Sequence, residues 1–190
     1  MAHDPDRSRL EGWLVGHGEY ELFACDPALA DTAAFCAAYG FALEDSANTI
    51  VVVGKADPPR YAACIVLATH RLDVNRSIRD RLGTRRASFA SAEETRALTG
   101  QEIGGVTAFG LLDGLSIWVD AAVMERPRIV LGGGSRRWKV LASPSILLTL
   151  PGVAVVEGLA RPAPPRPETQ PWPARREHAD REIRQYERPR

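Results

Sequence analysis

The sequence has little cysteine and almost no lysine. Its 190 residues include three cysteines, Cys25, Cys36 and Cys64, and no two of them form a C-x-x-C pair. An odd number without metal-ligand spacing predicts free thiols in a reducing compartment, not a disulfide framework or a zinc site. Of the 24 basic residues, only Lys55 and Lys139 are lysine. We do not interpret this preference as phosphate recognition, because genome composition can produce it.

Excess charge and long apolar runs are also missing. The formal net charge at pH 7 is zero, so any anionic partner must meet a local basic patch. No apolar run approaches membrane-spanning length, and residues 1–6 lack the basic and apolar regions of a signal peptide. We therefore expect a cytoplasmic protein with no membrane partner. The content of 45% hydrophobic and 25% charged residues is typical of one globular domain with an appendage.

The common hydrolytic motifs are absent. The sequence contains no G-x-S-x-G elbow, no H-E-x-x-H helix and no P-loop lysine after a glycine loop. His17 and His70 lie at the edges of predicted elements, where a surface or structural histidine is the commoner outcome, and neither accompanies an obvious nucleophile. These features argue against a catalytic triad.

Glycine is concentrated in two segments. We call residues 99–110 (TGQEIGGVTAFG) the first glycine loop and residues 132–137 (GGGSRR) the second glycine loop. Each glycine disfavours a helix by about 1 kcal/mol relative to alanine, so both segments are predicted to be irregular. Glycine suits tight turns and also places where a ligand approaches the backbone. The segments are therefore either two turns or two loops of bare amides that face one cavity.

Hydrophobic patterning predicts a mixed α+β domain, because strands and helices alternate without a regular βαβ repeat. Helices are expected at residues 7–16, 32–39 with Ala34, Phe35 and Ala38 buried, 73–82, after the capping residue Ser91, and 144–150. Strands are expected at residues 19–25, 49–53, 60–68, 87–90, 115–119, 128–131, 138–141 and 153–156. The strands at 49–53 and 60–68 are expected to form a hairpin, and a turn is expected around residues 124–127.

Composition divides the chain into three parts. Residues 1–18 form a predicted N-terminal helical segment packed on the domain, and residues 19–160 form the domain itself. Residues 161–190 form a Pro/Arg-rich tail that we expect to be disordered, because it has too little apolar surface to bury. The alternative is an RNA-docking helix that carries Arg175, Arg176, Arg181 and Arg184.

Spaced motifs resemble the YbaK/ProX family of aminoacyl-tRNA deacylases, which includes the editing domain of bacterial prolyl-tRNA synthetases. They are Thr99-Gly100, Gly104-Gly105-Val106-Thr107-Ala108-Phe109-Gly110, Trp118-Val119-Asp120 and Gly133-Gly134-Ser135-Arg136, in that order. The match covers about residues 20–160. It implies a single compact YbaK-like domain, with a twisted mixed β-sheet flanked by helices. It also implies a free-standing editing deacylase that binds the CCA end of aminoacyl-tRNA and needs no metal or organic cofactor. A synthetase partner and the oligomeric state stay open.

The resemblance implies a set of site residues. Catalytic roles fall to Asn48, Gly104, Gly105 and Lys139. Backbone amides of the glycine loops would stabilise the oxyanion, worth roughly 3–4 kcal/mol per well-placed donor, while water or a substrate hydroxyl or thiol attacks the ester. The implied substrate-binding residues are Thr49, Thr107, Phe109, Gly110, Asp120, Gly133, Gly134, Ser135 and Arg136. Thr107 is equally suited to bracing its own turn.

Three departures from the family pattern bear on function. Asn48 replaces a common lysine, Ala108 replaces a proline, and Lys139 stands where many members have an acid. Asn48 keeps a hydrogen-bond donor but loses the charge, and Lys139 either supplies that charge from another wall or is an ordinary exposed strand residue. The alternative function is a non-catalytic YbaK-like module that binds tRNA or a small aminoacyl ligand. A third is a hydrolase of some other aminoacyl ester.

Two basic segments are candidates for RNA contact. The first is the arginine-rich run from Arg71 to Arg86, in which Asp73 and Asp80 are interleaved. A solvent-exposed face with i,i+4 salt bridges explains it at least as well. The second is Arg136, Arg137 and Lys139 beside the second glycine loop, which we expect to meet the phosphates of a single-stranded CCA end.

Overall fold

A computed structural model describes residues 4–164 of the chain. The α-helices in this part are α1 (Pro5–Leu14), α2 (Thr32–Tyr39), α3 (Arg79–Leu82), α4 (Ala92–Thr99) and α5 (Ala121–Met124). The strands are β1 (Tyr20–Ala24), β2 (Ala47–Gly54), β3 (Arg60–Leu67), β4 (His70–Leu72), β5 (Ala87–Phe89), β6 (Ser116–Asp120), β7 (Ile129–Gly132), β8 (Trp138–Ala142), β9 (Val153–Val156) and β10 (Ala160–Pro162). Short 3-10 turns occupy Pro27–Leu29, Leu43–Asp45 and Pro144–Thr149, and one π-helical turn occupies Val74–Ile78.

The strands form a mixed architecture. Five strands make the main sheet in the order β5-β2-β3-β6-β9, with β3, β6 and β9 parallel and the other pairs antiparallel. Strands β1, β8 and β7 make a second, antiparallel sheet, and β10 pairs with β4. A bridge between Ser46 and Val130 joins the start of β2 to β7. The predicted α+β class, with a mixed sheet flanked by helices, is confirmed.

The predicted β2–β3 hairpin is also confirmed, with a register that runs from Ala47 opposite Leu67 to Gly54 opposite Arg60. The sequence missed β4 and β10, which are three residues each. It also missed α5, whose single turn occupies part of the segment predicted as a turn. The predicted helix at 73–82 is a π-helical turn followed by α3, and the one at 144–150 is a 3-10 helix. Elements this short leave no clear hydrophobic period in the sequence.

The local start and stop signals of two helices agree with prediction. Ser91 and Glu94 form the predicted capping box at α4, and α2 ends at Gly40 in the left-handed conformation that glycine adopts without strain. The buried face of α2 agrees with the prediction only at Phe35. Phe35 and Cys36 are buried, whereas the predicted Ala34 is half-buried and Ala38 is exposed, because this helix of eight residues presents only a narrow stripe to the second sheet.

The largest apolar core lies between the two sheets and the glycine loops. It includes the fully buried side chains of Ile65, Phe109 and Leu131. Helix α1 contributes Leu10 and Leu14, each 0% exposed. Burial of a leucine side chain contributes about 1.5–3 kcal/mol, so α1 is part of the packed unit.

The predicted domain limit at residue 160 lies at the start of β10. This strand pairs with β4, and its first residue donates from the Ala160 amide to Asp120 Oδ2 at 2.8 Å. The tail from 165 onward, with its predicted disorder or docking helix, lies outside the described residues. Within residues 4–164, no helix is long and apolar enough to cross a membrane.

Candidate active site

A cavity of about 460 Å³ opens between β2, α4 and the first glycine loop. Half of its lining residues have apolar side chains, namely Ala47, Ile50, Val51, Phe89, Ala90, Ala92, Ile103 and Val106. Its polar lining comes from Asp31, Thr32, Asn48, Thr49, Thr95, Gly104 and Lys139. A small apolar cavity with a few convergent polar groups is the usual form of a small-ligand site.

Asn48 is oriented by the start of α2. The Thr32 hydroxyl donates to Asn48 Oδ1 at 2.7 Å, which leaves the Nδ2 group as a donor beside the cavity. Nδ2 makes no hydrogen bond to the residues that the structure describes. Because Thr32 fixes the amide, Asn48 can offer a directed N–H to a ligand oxygen without first reorganising.

Lys139 belongs to the same cavity wall, and the exposed-strand interpretation is wrong because the residue is only 5% exposed. Its ammonium donates to the Ala30 carbonyl at 2.7 Å and lies 5.3 Å from the centre of the Phe35 ring. Burial lowers the pKa of Lys139, an effect that nearby Arg136 reinforces and Asp31 opposes. An ammonium has three donors, so the bond to Ala30 leaves two more.

The two glycine loops are joined to each other. Glu102 donates from its amide to the Gly134 carbonyl at 2.9 Å, and the Gly134 amide donates to the Gly105 carbonyl at 2.7 Å. The Gly105 amide itself donates to the Glu102 carbonyl at 2.9 Å. The amides of Gly105 and Gly134 are therefore not the bare donors that the glycine content predicted.

Packing explains the glycine at these positions. A Cβ atom on Gly105 would overlap the Ser135 backbone, and one on Gly133 would lie 2.5 Å from the Trp138 carbonyl. A Cβ atom on Gly104 would overlap the Arg136 guanidinium. Gly104 is nevertheless exposed and lines the cavity, and its amide makes no hydrogen bond to the described residues. Among the glycine amides of the two loops, that of Gly104 is the one whose position fits an oxyanion donor.

Gln101 fastens the first glycine loop from inside, and sequence reasoning missed it. The residue is 3% exposed; its Nε2 donates to the Phe109 carbonyl at 2.8 Å, and its Oε1 accepts from the Thr107 amide at 2.7 Å. The available signal was a glutamine inside a glycine-rich segment. A buried glutamine amide must form hydrogen bonds through both its oxygen and its nitrogen, and the backbone of such a loop supplies the partners.

The hydroxyls of Thr49 and Thr107 are buried without a hydrogen-bond partner among the described residues. Thr49 lines the cavity, so a ligand there could satisfy its hydroxyl. Thr107 is 0% exposed and does not line the cavity. Its hydroxyl does not brace the loop either, because the bond that holds the loop at this position comes from the Thr107 amide.

Several residues that the family resemblance assigned to the substrate have structural positions instead. Phe109 is fully buried in the main core, and Gly110 packs against Trp13 of α1. Asp120 caps α5 and binds the Ala160 amide, while Ser135 is 3% exposed and accepts from the Arg137 amide at 3.3 Å. None of these residues lies in the cavity wall.

The Arg136 side chain is held by contacts within the protein. Its Nε donates to the Pro27 carbonyl at 2.9 Å, and its Nη1 lies 3.4 Å from Asp31 Oδ1. Because Lys139 is buried, Arg137 is the one exposed side chain of the three that we expected to meet phosphates. Arg136 ties the second glycine loop to the entrance of α2.

The three cysteines are free, as predicted, and all three are buried. Burial raises the pKa of Cys64 to about 12 and also raises the pKa of Cys25, where Lys139 opposes the effect. High thiol pKa values disfavour the reactive thiolate. Among the described residues, no group of three His, Cys, Asp or Glu could hold a metal ion.

Asp31 and Phe89 also line the cavity and were missed as site residues. Asp31 is the N-cap of α2, and an aspartate at an N-cap looks the same in a sequence as an aspartate in a site. Phe89 was predicted to lie in a short strand. Nothing in the local sequence shows that this strand lies at the edge of the sheet, where the Phe89 side chain can reach the cavity.

Comparison with known proteins identifies relatives of the whole cavity region. Residues 26–150 match the sequence model of the aminoacyl-tRNA editing domain. A crystal structure of a candidate trans-editing enzyme for prolyl tRNA synthetase is 26% identical, with a TM-score of 0.70 over 82% of this chain and 98% of that one. No curated protein matches the sequence.

Two further solved structures share the fold. The hypothetical protein APE2540 is 23% identical, with a TM-score of 0.71 over 80% of this chain and 99% of that one. A scaffold protein from a study of computational grafting of linear epitopes is also 23% identical, with a TM-score of 0.69 over 82% of this chain and 97% of that one. At this level of identity they establish the architecture alone.

Proposed function

Because the chain belongs to the aminoacyl-tRNA editing domain family, as its YbaK/ProX-like motifs predict, we propose that it is a free-standing aminoacyl-tRNA deacylase. It would hydrolyse the ester between a mischarged amino acid and the terminal adenosine of tRNA. The similarity to a candidate trans-editing enzyme for prolyl tRNA synthetase supports action in trans. A synthetase that delivers the tRNA fits the same proposal.

One observation carries the proposal: Asn48, Gly104 and Lys139 reach a single cavity from three different elements. Asn48 and Gly104 offer N–H groups that the described residues leave unused, and Lys139 adds a positive charge. Donors fixed before the reaction stabilise a developing oxyanion without reorganisation, at roughly 3–4 kcal/mol for each well-placed one. The cavity volume of about 460 Å³ favours a small amino acid side chain.

The chemistry that follows is a cleavage of the ester without a protein nucleophile. A water attacks the ester carbonyl to give the free amino acid, or a hydroxyl or thiol of the substrate attacks it to give a cyclic ester or thioester. In either case the carbonyl oxygen becomes an oxyanion that Asn48 and Gly104 stabilise. The intermediate then collapses, the ester C–O bond breaks, and the ribose oxygen takes the proton that the attacking group lost. The Thr49 hydroxyl is free to bind the substrate amine or side chain.

A screen of mischarged tRNAs tests the proposal. The purified protein is incubated with tRNAs that carry different small amino acids, with and without EDTA, and the remaining ester is measured against the uncatalysed rate. We expect accelerated hydrolysis of at least one substrate in both conditions. Rates equal to the uncatalysed rate for every substrate would reject the deacylase.

A non-catalytic binding module is the second candidate, and the bond between Lys139 and Ala30 favours it. If that bond holds the ammonium permanently away from the ligand, the cavity lacks a cation that could act on the ester. This alternative predicts that the protein binds aminoacyl-tRNA and protects the ester. Slower hydrolysis in the presence of the protein than in its absence would identify it.

A further inference from the structure

A second, strongly basic concavity lies beside the cavity. This groove of about 360 Å³, which we call the basic groove, is lined by Lys55, Arg79, Arg85 and Arg86 together with Asn75, Ala87 and Ser88. No acidic residue lines it. The protein as a whole is neutral, so four cations around one groove form a local positive field.

Three of these cations are unpaired. The side chains of Lys55, Arg85 and Arg86 are exposed and make no hydrogen bond or ion pair with the described residues. Arg79 is partly neutralised, because its Nη2 lies 2.7 Å from Asp80 Oδ1. The arginine-rich run therefore does not form the i,i+4 salt-bridged face that its sequence also allowed. Cations left free in a concave surface are available to an anion.

The backbone holds two of the free cations next to each other. The Lys55 amide donates to the Arg86 carbonyl at 2.8 Å, and the Thr84 hydroxyl donates to the same carbonyl at 3.0 Å. Their chain neighbours Gly54 and Ala87 pair with each other in the sheet. The backbone at Lys55 and Arg86 is thus fixed, and only the two flexible side chains must become ordered when a ligand binds.

Strand β5 connects the basic groove to the cavity. Ala87 and Ser88 line the groove, whereas Phe89 and Ala90 line the cavity. Three residue steps along a strand span roughly 10 Å, so the two sites lie within a few nucleotides of each other. Because β5 is an edge strand, a ligand can follow it without an obstructing neighbour strand.

Phe89 stands at the junction with 55% of its surface exposed. An exposed aromatic ring beside a positively charged groove is the arrangement that binds single-stranded nucleic acid, since bases stack on the ring while cations meet the phosphates. Neither feature alone identifies the ligand. The basic groove, then Phe89, then the cavity follow one another along β5. This order matches a single-stranded nucleic acid in which several phosphates precede a reactive terminal nucleoside.

We infer that the basic groove and Phe89 form the docking surface for the single-stranded end of an RNA substrate. Phosphates would bind Lys55, Arg85 and Arg86, a base would stack on Phe89, and the terminal nucleoside would enter the cavity. This inference rests on the proposed function, because that function supplies the RNA.

Binding of uncharged RNA tests the inference without any reaction. The probe is an RNA hairpin that ends in single-stranded CCA, and anisotropy measures Kd from about 50 to 200 mM salt. Arg85→Gln/Arg86→Gln should weaken binding by about tenfold or more and reduce the salt slope by roughly 1.4–1.8, the loss of two phosphate contacts. The control is Arg128→Gln. Arg128 directly precedes β7, and among the described residues its ion pair is with the exposed Glu21, so this variant should change Kd by less than about twofold.

A second arm isolates the aromatic contact. Phe89→Ala should weaken binding of the CCA hairpin by about fivefold or more, whereas Phe89→Trp should retain it. A blunt hairpin without CCA should bind wild type and Phe89→Ala equally. Melting temperatures close to wild type establish that each variant is folded.

The outcomes separate this inference from the deacylase proposal. Unchanged Kd and salt slope in the double arginine variant, or no binding of the hairpin by wild type, would overturn the docking surface even if esters are hydrolysed. Groove-dependent RNA binding by a protein that hydrolyses no ester would support the docking surface while the deacylase fails.

Discussion

Lys139 and Ala30 are joined by a 2.7 Å hydrogen bond from the side-chain ammonium to the backbone carbonyl. Ala30 directly precedes Asp31, the N-cap of α2, so the bond ties strand β8 to the helix that carries Thr32. Thr32 in turn holds Asn48. The two polar residues that replace the family's usual lysine and acid are therefore connected through one helix entrance.

The buried ammonium makes stability depend on pH. Burial lowers the folded-state pKa of Lys139 below its unfolded value. Between those two values the unfolded chain binds more protons, so the free energy of unfolding rises with pH. We expect wild type to gain stability relative to Lys139→Met as pH rises toward about 10, the ordinary lysine pKa. Urea denaturation of both proteins at several pH values measures this difference.

The comparison with Lys139→Met removes the effect of groups that do not interact with Lys139. Because Lys139 opposes the rise in the pKa of Cys25, both proteins carry Cys25→Ser. Cys64, whose pKa is raised to about 12 by burial, loses stabilisation as pH rises above its unfolded pKa, but it is present in both proteins and cancels. A difference in unfolding free energy that is flat or falls with pH would show that the ammonium is not held in a desolvated site.

The hydrogen bond between Thr32 and Asn48 predicts a positioning effect. Thr32→Val keeps the shape of the side chain but removes the hydroxyl that orients the amide. We expect kcat/KM for the best aminoacyl-tRNA to fall by about three- to tenfold, the range of one net hydrogen bond. Thr32→Ser keeps the hydroxyl and should stay close to wild type. Equal losses in the Val and Ser variants would assign the effect to packing.

The joined glycine loops predict a loss of stability. A methyl group on Gly105 would overlap the Ser135 carbonyl, so Gly105→Ala should lower the free energy of unfolding by about 1–3 kcal/mol or more. Gly12→Ala is the matched control, because Gly12 lies in α1 with open space around it and should gain about 0.5–1 kcal/mol. Denaturant midpoints compare the two, and a Gly105→Ala protein as stable as wild type would contradict the observed packing.

The fold was readable from the sequence where elements are long and bounded by strong signals. Strand β2 is a β-branched run that ends at a glycine, and α4 begins with a capping box. By contrast, α5 and β10 have four and three residues and depend on Asp120, which caps one and accepts from the other. A contact between residues 40 positions apart leaves no local pattern.

The site was predictable in part. Asn48 and Lys139 were singled out because they depart from a familiar pattern, and both line the cavity. The glycines misled, because a residue needed for close packing of two loops and one needed for ligand approach look the same in a sequence. Phe109 and Asp120 match family motifs yet occupy buried structural positions, so a motif alone does not separate a binding residue from one that supports the fold.

Asn48 and Lys139 line the same cavity, which leads to a final prediction. We expect Lys139 to supply the positive charge that the family's usual lysine supplies from the position of Asn48. Lys139→Ala removes the only lysine in the cavity wall and should lower kcat/KM for aminoacyl-tRNA by about tenfold or more, which corresponds to roughly 1.4 kcal/mol of transition-state stabilisation. The variant also leaves the Ala30 carbonyl without its donor, so some loss of stability is expected as well.

Adding Asn48→Lys to Lys139→Ala separates these two causes. A lysine at 48 restores a cation to the cavity but cannot donate to the Ala30 carbonyl in the way that Lys139 does. If charge stabilises the oxyanion or a phosphate, the double variant should recover part of kcat/KM while its melting temperature stays low. If Lys139 only supports the fold, kcat/KM measured well below the melting temperature should equal that of wild type in Lys139→Ala, and Asn48→Lys should add nothing. That result would leave Asn48 and the Gly104 amide as the remaining donors to the ester.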